Sequence, residues 1–126
     1  ILSPQEATFS NADEQFMIKL NEMIDQNLSQ PDLDVKFLTV QMAMSRTSLY
    51  NKIKELTGMG ANDYINRRRI DKAIILLIQS DMSITEISEQ VGFTYQRYFS
   101  TLFKEMKGMT PSQFRAQHGS TQQQSE

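Results

Sequence analysis

Apolar positions recur along this chain at three- and four-residue spacing, the period of a helix buried on one face. Phe16, Leu20, Met23, Ile24 and Leu28 form the first such stripe, entered through Ser10 and Asp13 and closed by Ser29-Gln30-Pro31-Asp32. Asp34 then caps a short helix running to Met42, and Ser45 caps another to Thr57, where Gly58 supplies the stop. A longer helix is predicted from Ala61 to Gln79, with Ile65, Ile70, Ala73, Ile74, Leu77 and Ile78 inward. Ser83-Ile84-Thr85-Glu86 has the form of a capping box opening a short helix to Gly92. Gln96 to Lys107 reads as a helix stopped at Gly108, with Leu102 and Met106 joining Phe99 and Phe103 on its buried side. Thr110-Pro111-Ser112-Gln113 opens a final helix, Pro standing where its missing N–H costs nothing. No stretch alternates long enough to suggest a strand, so the predicted fold is all-α. Residues 1–10 read as a flexible lead-in and residues 119–126 as a disordered polar tail.

The chain repeats itself. A shift of 50 places Leu49-x-x-x-Ile53-Lys54-Glu55-Leu56-x-Gly58-Met59 on Phe99-x-x-x-Phe103-Lys104-Glu105-Met106-x-Gly108-Met109, and Tyr64 on Phe114. Upstream, Leu38 pairs with Ile87 and Ala43 with Gly92 at a shift of 49, so the second turn is one residue longer. Each copy reads short helix, tight turn, longer helix, glycine stop, over about 35–58 and 83–108. That is the helix-turn-helix plan, in which the second helix enters the major groove of a duplex. The predicted architecture is therefore two such units joined by a long linker helix and preceded by an extra N-terminal helix. The linker, about 18 residues rising about 1.5 Å each, spans roughly 27 Å, against about 34–36 Å for one turn of B-DNA.

Charge sharpens this picture only when it is resolved along the chain. The formal net charge over 126 residues is −2, which alone argues against a polyanionic partner. Residues 1–44, however, hold two basic and seven acidic side chains, whereas residues 45–118 hold eleven and seven. The local basic footprint is what a nucleic acid meets. Cysteine is absent, which excludes a disulfide framework, a thiolate metal site and a cysteine nucleophile. The longest apolar run, Ala73 to Ile78, is six residues, against roughly 20 for a bilayer span. No signal peptide is apparent, and a start without Met points to a piece of a longer chain. There is no phosphate-binding loop, no paired-carboxylate motif and no Ser-His-Asp arrangement, so neither an enzyme nor a cofactor is expected. His118, alone beside the tail, is expected in solvent, and most of the eight methionines sit at core spacing.

Periodicity also divides each candidate recognition helix into faces. In the first, Leu49, Ile53 and Leu56 point inward, and the N-terminal part of the opposite face offers Arg46, Thr47, Tyr50 and Asn51 as base readers. Arg pairs bidentately with guanine and Asn with adenine, and Thr or Tyr meets a thymine methyl. In the second, Gln96, Arg97 and Ser100 are the corresponding readers. Ser45, Lys52, Lys54, Tyr95, Thr101, Lys104 and Lys107 are candidates for phosphate contact, which fixes position without reading sequence. Arg67 and Arg68, from the run Arg67-Arg68-Arg69, join them, although pairing with Asp63 or Asp71 explains that run equally well. Tyr98 is assigned to packing. The competing reading is a helical protein-interaction or dimerisation module that does not read DNA. The outward Arg, Asn, Gln, Ser, Thr and Lys side chains count against it.

The stretch Asp81-Met82-Ser83-Ile84-Thr85-Glu86-Ile87-Ser88-Glu89-Gln90-Val91-Gly92-Phe93, followed by Tyr98-Phe99-Ser100-x-x-Phe103-Lys104 and Gly108-Met109-Thr110-Pro111, resembles the signature of the AraC/XylS family of bacterial transcription regulators. The first copy matches through Met44-Ser45-Arg46-x-x-Leu49 and Leu56-Thr57-Gly58-Met59, so the resemblance covers about residues 32–118. Ala43 departs from the usual Gly, Thr39 and Ser88 from a usual Ala, and Gly60-Ala61 from a common Ser/Thr-Pro. The resemblance implies a cytoplasmic, sequence-specific double-stranded DNA-binding domain whose two units enter successive major grooves. Family base-reading positions fall on Thr47, Tyr50 and Asn51. Further implied partners are an N-terminal regulatory domain of the same chain, RNA polymerase, and a second copy in the full-length protein, the isolated domain being monomeric. Residues 12–28 with Asn27 to Leu33 are similar to segments preceding this domain in two-component response regulators and in hybrid sensor regulators of gut bacteroidetes. Residues 1–31 would then be the connection to such an input.

Overall fold

A computed structural model of the chain describes residues 10–124. Among the described residues it contains seven helices and no strand: α1 (Asn11–Gln26), α2 (Val35–Met42), α3 (Arg46–Thr57), α4 (Ala61–Gln79), α5 (Ile84–Gln90), α6 (Gln96–Lys107) and α7 (Pro111–Gln124). The described residues divide into two compact units, residues 10–27 with 32–65, and residues 28–31 with 66–124. The predicted all-helical fold is the observed one.

In the first unit almost every helix start is fixed by a side chain. The Ser10 hydroxyl accepts from the Asp13 N–H at 3.1 Å, and the Asp13 carboxylate accepts from the Ser10 N–H at 3.4 Å. Asp34 accepts from the Phe37 N–H at 2.8 Å, and Ser45 from the Ser48 N–H at 3.1 Å. Each satisfies a donor that the first helical turn leaves without a partner. The helices bury Leu20, Ile24, Leu38, Leu49 and Ile53 completely. Tyr64 is buried with them, its hydroxyl donating to the Asn21 side-chain oxygen at 2.6 Å. The turn between α2 and α3 passes through Ala43 at φ 53°, a left-handed conformation that costs an L-residue roughly 1–2 kcal/mol.

The second unit has an aromatic spine. Ile70, Ala73 and Leu77 of α4 pack with Ile87, Val91, Phe93, Phe99 and Phe103 in one buried cluster. Ring centroids lie 5.3 Å apart for Phe93–Phe99, 5.9 Å for Phe99–Phe103 and 5.5 Å for Phe103–Phe114. Such tilted and edge-on pairs add stabilisation beyond the buried area. Both expected capping boxes form, Ser83 with Glu86 and Thr110 with Gln113. The Ser83 backbone N–H donates to the Glu86 carboxylate and holds its pKa below the ordinary value.

Three expectations need correction or restriction. Met106 is not buried. Phe114 covers Phe103, and Met106, in the last turn of α6, is left 38% exposed. Of the polar tail expected from residue 119, the structure describes residues 119–124, as the end of α7. Ala and Gln are good helix formers, and the single Gly119 lowers propensity by only about 1 kcal/mol. The flexible lead-in falls mostly on residues 1–9, and the end of the tail on residues 125–126, outside the described residues.

Candidate nucleic-acid interface

The first-unit surface is built on α3. Arg46, Thr47, Tyr50 and Asn51 are all exposed, opposite the buried Leu49 and Ile53. Arg46 and Tyr50 line an open depression of about 370 Å³ with Asp34, Val35, Lys36 and Asn62. Gly60 gives Tyr50 its place: a Cβ there would lie 3.2 Å from the tyrosine oxygen. The Lys54 ammonium donates to the Gly58 carbonyl at 3.0 Å, complementing the negative helix end while leaving donors free.

Two expected phosphate contacts have other employment. Lys52 is bound to Asp13 of α1 at 2.5 Å, and its side chain is only 32% exposed. The lysine hydrogen bond, with the Ser10 backbone N–H, lowers the Asp13 pKa, and the carboxylate raises that of Lys52. Lys52 is thus engaged within the protein, by a partner 39 positions upstream on a different helix, where periodicity within α3 carries no information. The Ser45 hydroxyl is committed to the cap, accepting from the Ser48 N–H and donating to the Ser48 hydroxyl at 3.0 Å.

The second-unit surface is built on α6. Gln96, Arg97, Thr101, Lys104 and Lys107 are exposed and Ser100 is half-buried. Tyr95 occupies the N-cap in extended conformation, 73% exposed and providing no side-chain cap. Gln96 is held from the neighbouring helix, where the Thr85 hydroxyl on α5 donates to its side-chain oxygen at 2.5 Å. Tyr98, 52% exposed, packs edge-on against Phe93 at 5.8 Å and accepts from the Asn66 amide at 3.3 Å.

The arginine run splits three ways, as three consecutive helical residues must. Arg67 is exposed and Arg68 half-buried. Arg69 is buried, donates to the Gln30 carbonyl at 2.8 Å and lies 5.7 Å from the Phe93 ring centre. Burial lowers the pKa of its guanidinium. Periodicity missed a further arginine, Arg115 of α7. Its Nε donates to Leu77 O at 3.0 Å, Nη1 to Met82 O at 2.6 Å and Nη2 to Ser80 O at 3.1 Å. It thereby closes the C-terminal end of α4 and the turn beyond it. Among the described residues no helix is long and apolar enough to cross a membrane.

Two copies of supporting helix, tight turn and polar-faced second helix define a helix-turn-helix protein. A family model described as a helix-turn-helix domain matches residues 38–117. A protein named histidine kinase P4 from Formosa agariphila is 36% identical over 113 residues, covering 90% of this chain and 8% of that protein. The C-terminal domain of the two-component response regulator yesN from Fusobacterium nucleatum superposes with TM-score 0.73 at 31% identity, covering 84% of this chain and 99% of that one. The DNA-binding domain of AdpA, solved in complex with a target DNA, gives TM-score 0.75 at 26% identity, covering 84% and 97%. This chain belongs to the AraC-type helix-turn-helix family of transcription regulators. It spans 8%, 28% and 27% of the first three curated relatives it matches.

Proposed function

We propose that this chain is the DNA-reading output domain of a larger bacterial transcription regulator, with no catalytic role of its own. The observation that carries this reading is the duplicated α3 and α6, each with a buried apolar side and an exposed polar N-terminal half. The likeness to AdpA, whose DNA-binding domain was solved on its target, supports it. Arg46, Thr47, Tyr50 and Asn51 read bases through the first unit, and Gln96, Arg97 and Ser100 through the second. Lys54, Arg67, Arg68, Tyr95, Thr101, Lys104 and Lys107 hold phosphates. Residues 32–118 do the reading, and residues 1–31 connect them to an N-terminal regulatory domain, of the two-component type suggested by yesN and the Formosa protein. The full-length protein acts as a cytoplasmic dimer and contacts RNA polymerase.

Selection from a random duplex library tests the reading. The expected product is one enriched motif with two separated groups of specified base pairs. Its affinity falls steeply with salt, because phosphate contacts release counterions. Recovery of unselected sequence, at affinities equal to those for random duplex, would refute it.

A further inference from the structure

A side-chain amide has an acceptor end and a donor end, and rotation of its terminal torsion exchanges them. At Gln96 one end is already taken, by the Thr85 hydroxyl 2.5 Å from the amide oxygen. Thr85 stands in the first turn of α5, exposed, two residues from the fully buried Ile87. We propose that Thr85 is a specificity-determining residue: by holding the carbonyl end of Gln96, it turns the amide N–H₂ toward the duplex. The proposal rests on the reading of α6 as a base-contacting helix.

The consequence for sequence follows from the major-groove code. An N–H₂ group suits an acceptor edge, namely guanine N7 and O6, adenine N7 or thymine O4. Cytosine offers only its N4–H₂ donor there and is the base disfavoured. To present its oxygen, the held glutamine must turn over while the Thr85 hydroxyl rotates from donor to acceptor, whereas an unheld glutamine turns freely. The first unit has no equivalent device. At the matched positions it carries Lys36 and Arg46, which are donors only and line one open depression together. The polarity of one base contact is thus set by a residue outside the recognition helix.

The test measures competition binding of wild type, Thr85→Val, Thr85→Ser and Gln96→Ala against single-base-pair variants of the selected site. Gln96→Ala identifies the base pair that Gln96 reads. At that pair Thr85→Val should cut the penalty for cytosine by about fivefold or more, since one base contact discriminates by about 1–3 kcal/mol. Thr85→Ser, which keeps the hydroxyl, should retain the penalty, and melting midpoints should not move for either Thr85 variant. An unchanged cytosine penalty in Thr85→Val, at a pair that Gln96→Ala does relax, overturns the proposal and leaves Gln96 a reader. If Gln96→Ala relaxes no pair while the site is still selected, the contact and the proposal fall together and the DNA-reading function stands. Failure of wild type to select any site removes the function itself.

Discussion

Gly92 and Arg115 carry more structural weight than any side chain proposed to read bases. Gly92 sits at φ 95°, and a Cβ there would lie 2.1 Å from the Leu28 carbonyl and 2.9 Å from the Arg69 guanidinium. Gly108 has φ 79° but nothing within 4 Å of its Cβ position. Gly108→Ala should therefore cost only the left-handed penalty, roughly 1–2 kcal/mol. Gly92→Ala adds a clash with backbone that has nowhere to go, as overpacked sites do, for a loss of more than about 3 kcal/mol. Equal losses in chemical denaturation would mean that Leu28 does not pack on this turn. Arg115→Met should cost about 1.5–3 kcal/mol by stripping several carbonyls of a charged donor. Arg115→Lys should restore little, because one ammonium does not reproduce a planar fork reaching the Leu77, Ser80 and Met82 carbonyls. Full rescue by lysine in thermal melts would refute that geometry.

At the scale of helices, legibility tracked the range of the interaction. Ser10 with Asp13, Asp34 with Phe37, Ser83 with Glu86 and Thr110 with Gln113 all bond across three positions, so the sequence itself displays where those helices start. Arg69 reaches 39 positions to Gln30 and Arg115 reaches 38 to Leu77, and nothing local marks either pairing. The exposed faces of α3 and α6 were readable for the same reason as the cores: both follow from one helical period. What those faces do with their charges was not, as Lys52 and the Thr85–Gln96 bond illustrate. The short helices α2 and α5 bury Leu38 and Ile87 completely. Leu38→Ala and Ile87→Ala should each lose roughly 2–5 kcal/mol through cavity formation, and unchanged melting midpoints would refute this. The α1–α3 ion pair has a pH signature. The folded-state pKa of Asp13 is lowered, so its contribution is present above the unfolded carboxylate pKa and is lost as pH falls through the folded one. Lys52→Met should shrink that acid-range increment of the wild-type stability profile, leaving the part that the Ser10 N–H supplies. Parallel profiles for the two proteins would show that the pair is not linked to folding.

For the molecule as a whole, the division into two compact units makes a quantitative claim about recognition. Asn51 and Arg97 belong to different units, on surfaces built from different helices. On the selected site each change to alanine should cost about 1–3 kcal/mol and relax preference at its own base pairs only. Lys54→Ala should instead weaken all duplexes alike and flatten the salt dependence, because a phosphate contact carries no sequence. Energies of separate contacts without shared partners add to within about 0.3–0.5 kcal/mol. The Asn51→Ala, Arg97→Ala double variant should therefore lose the sum of the single losses, down to the level of non-specific binding. A double variant no weaker than the worse single one would mean that only one unit reads bases. A loss well beyond the sum would mean that the units grip the duplex as a coupled pair, each depending on the other's contact. Additive loss, with the relaxed base pairs in two separate groups, is the result that two independent recognition helices require.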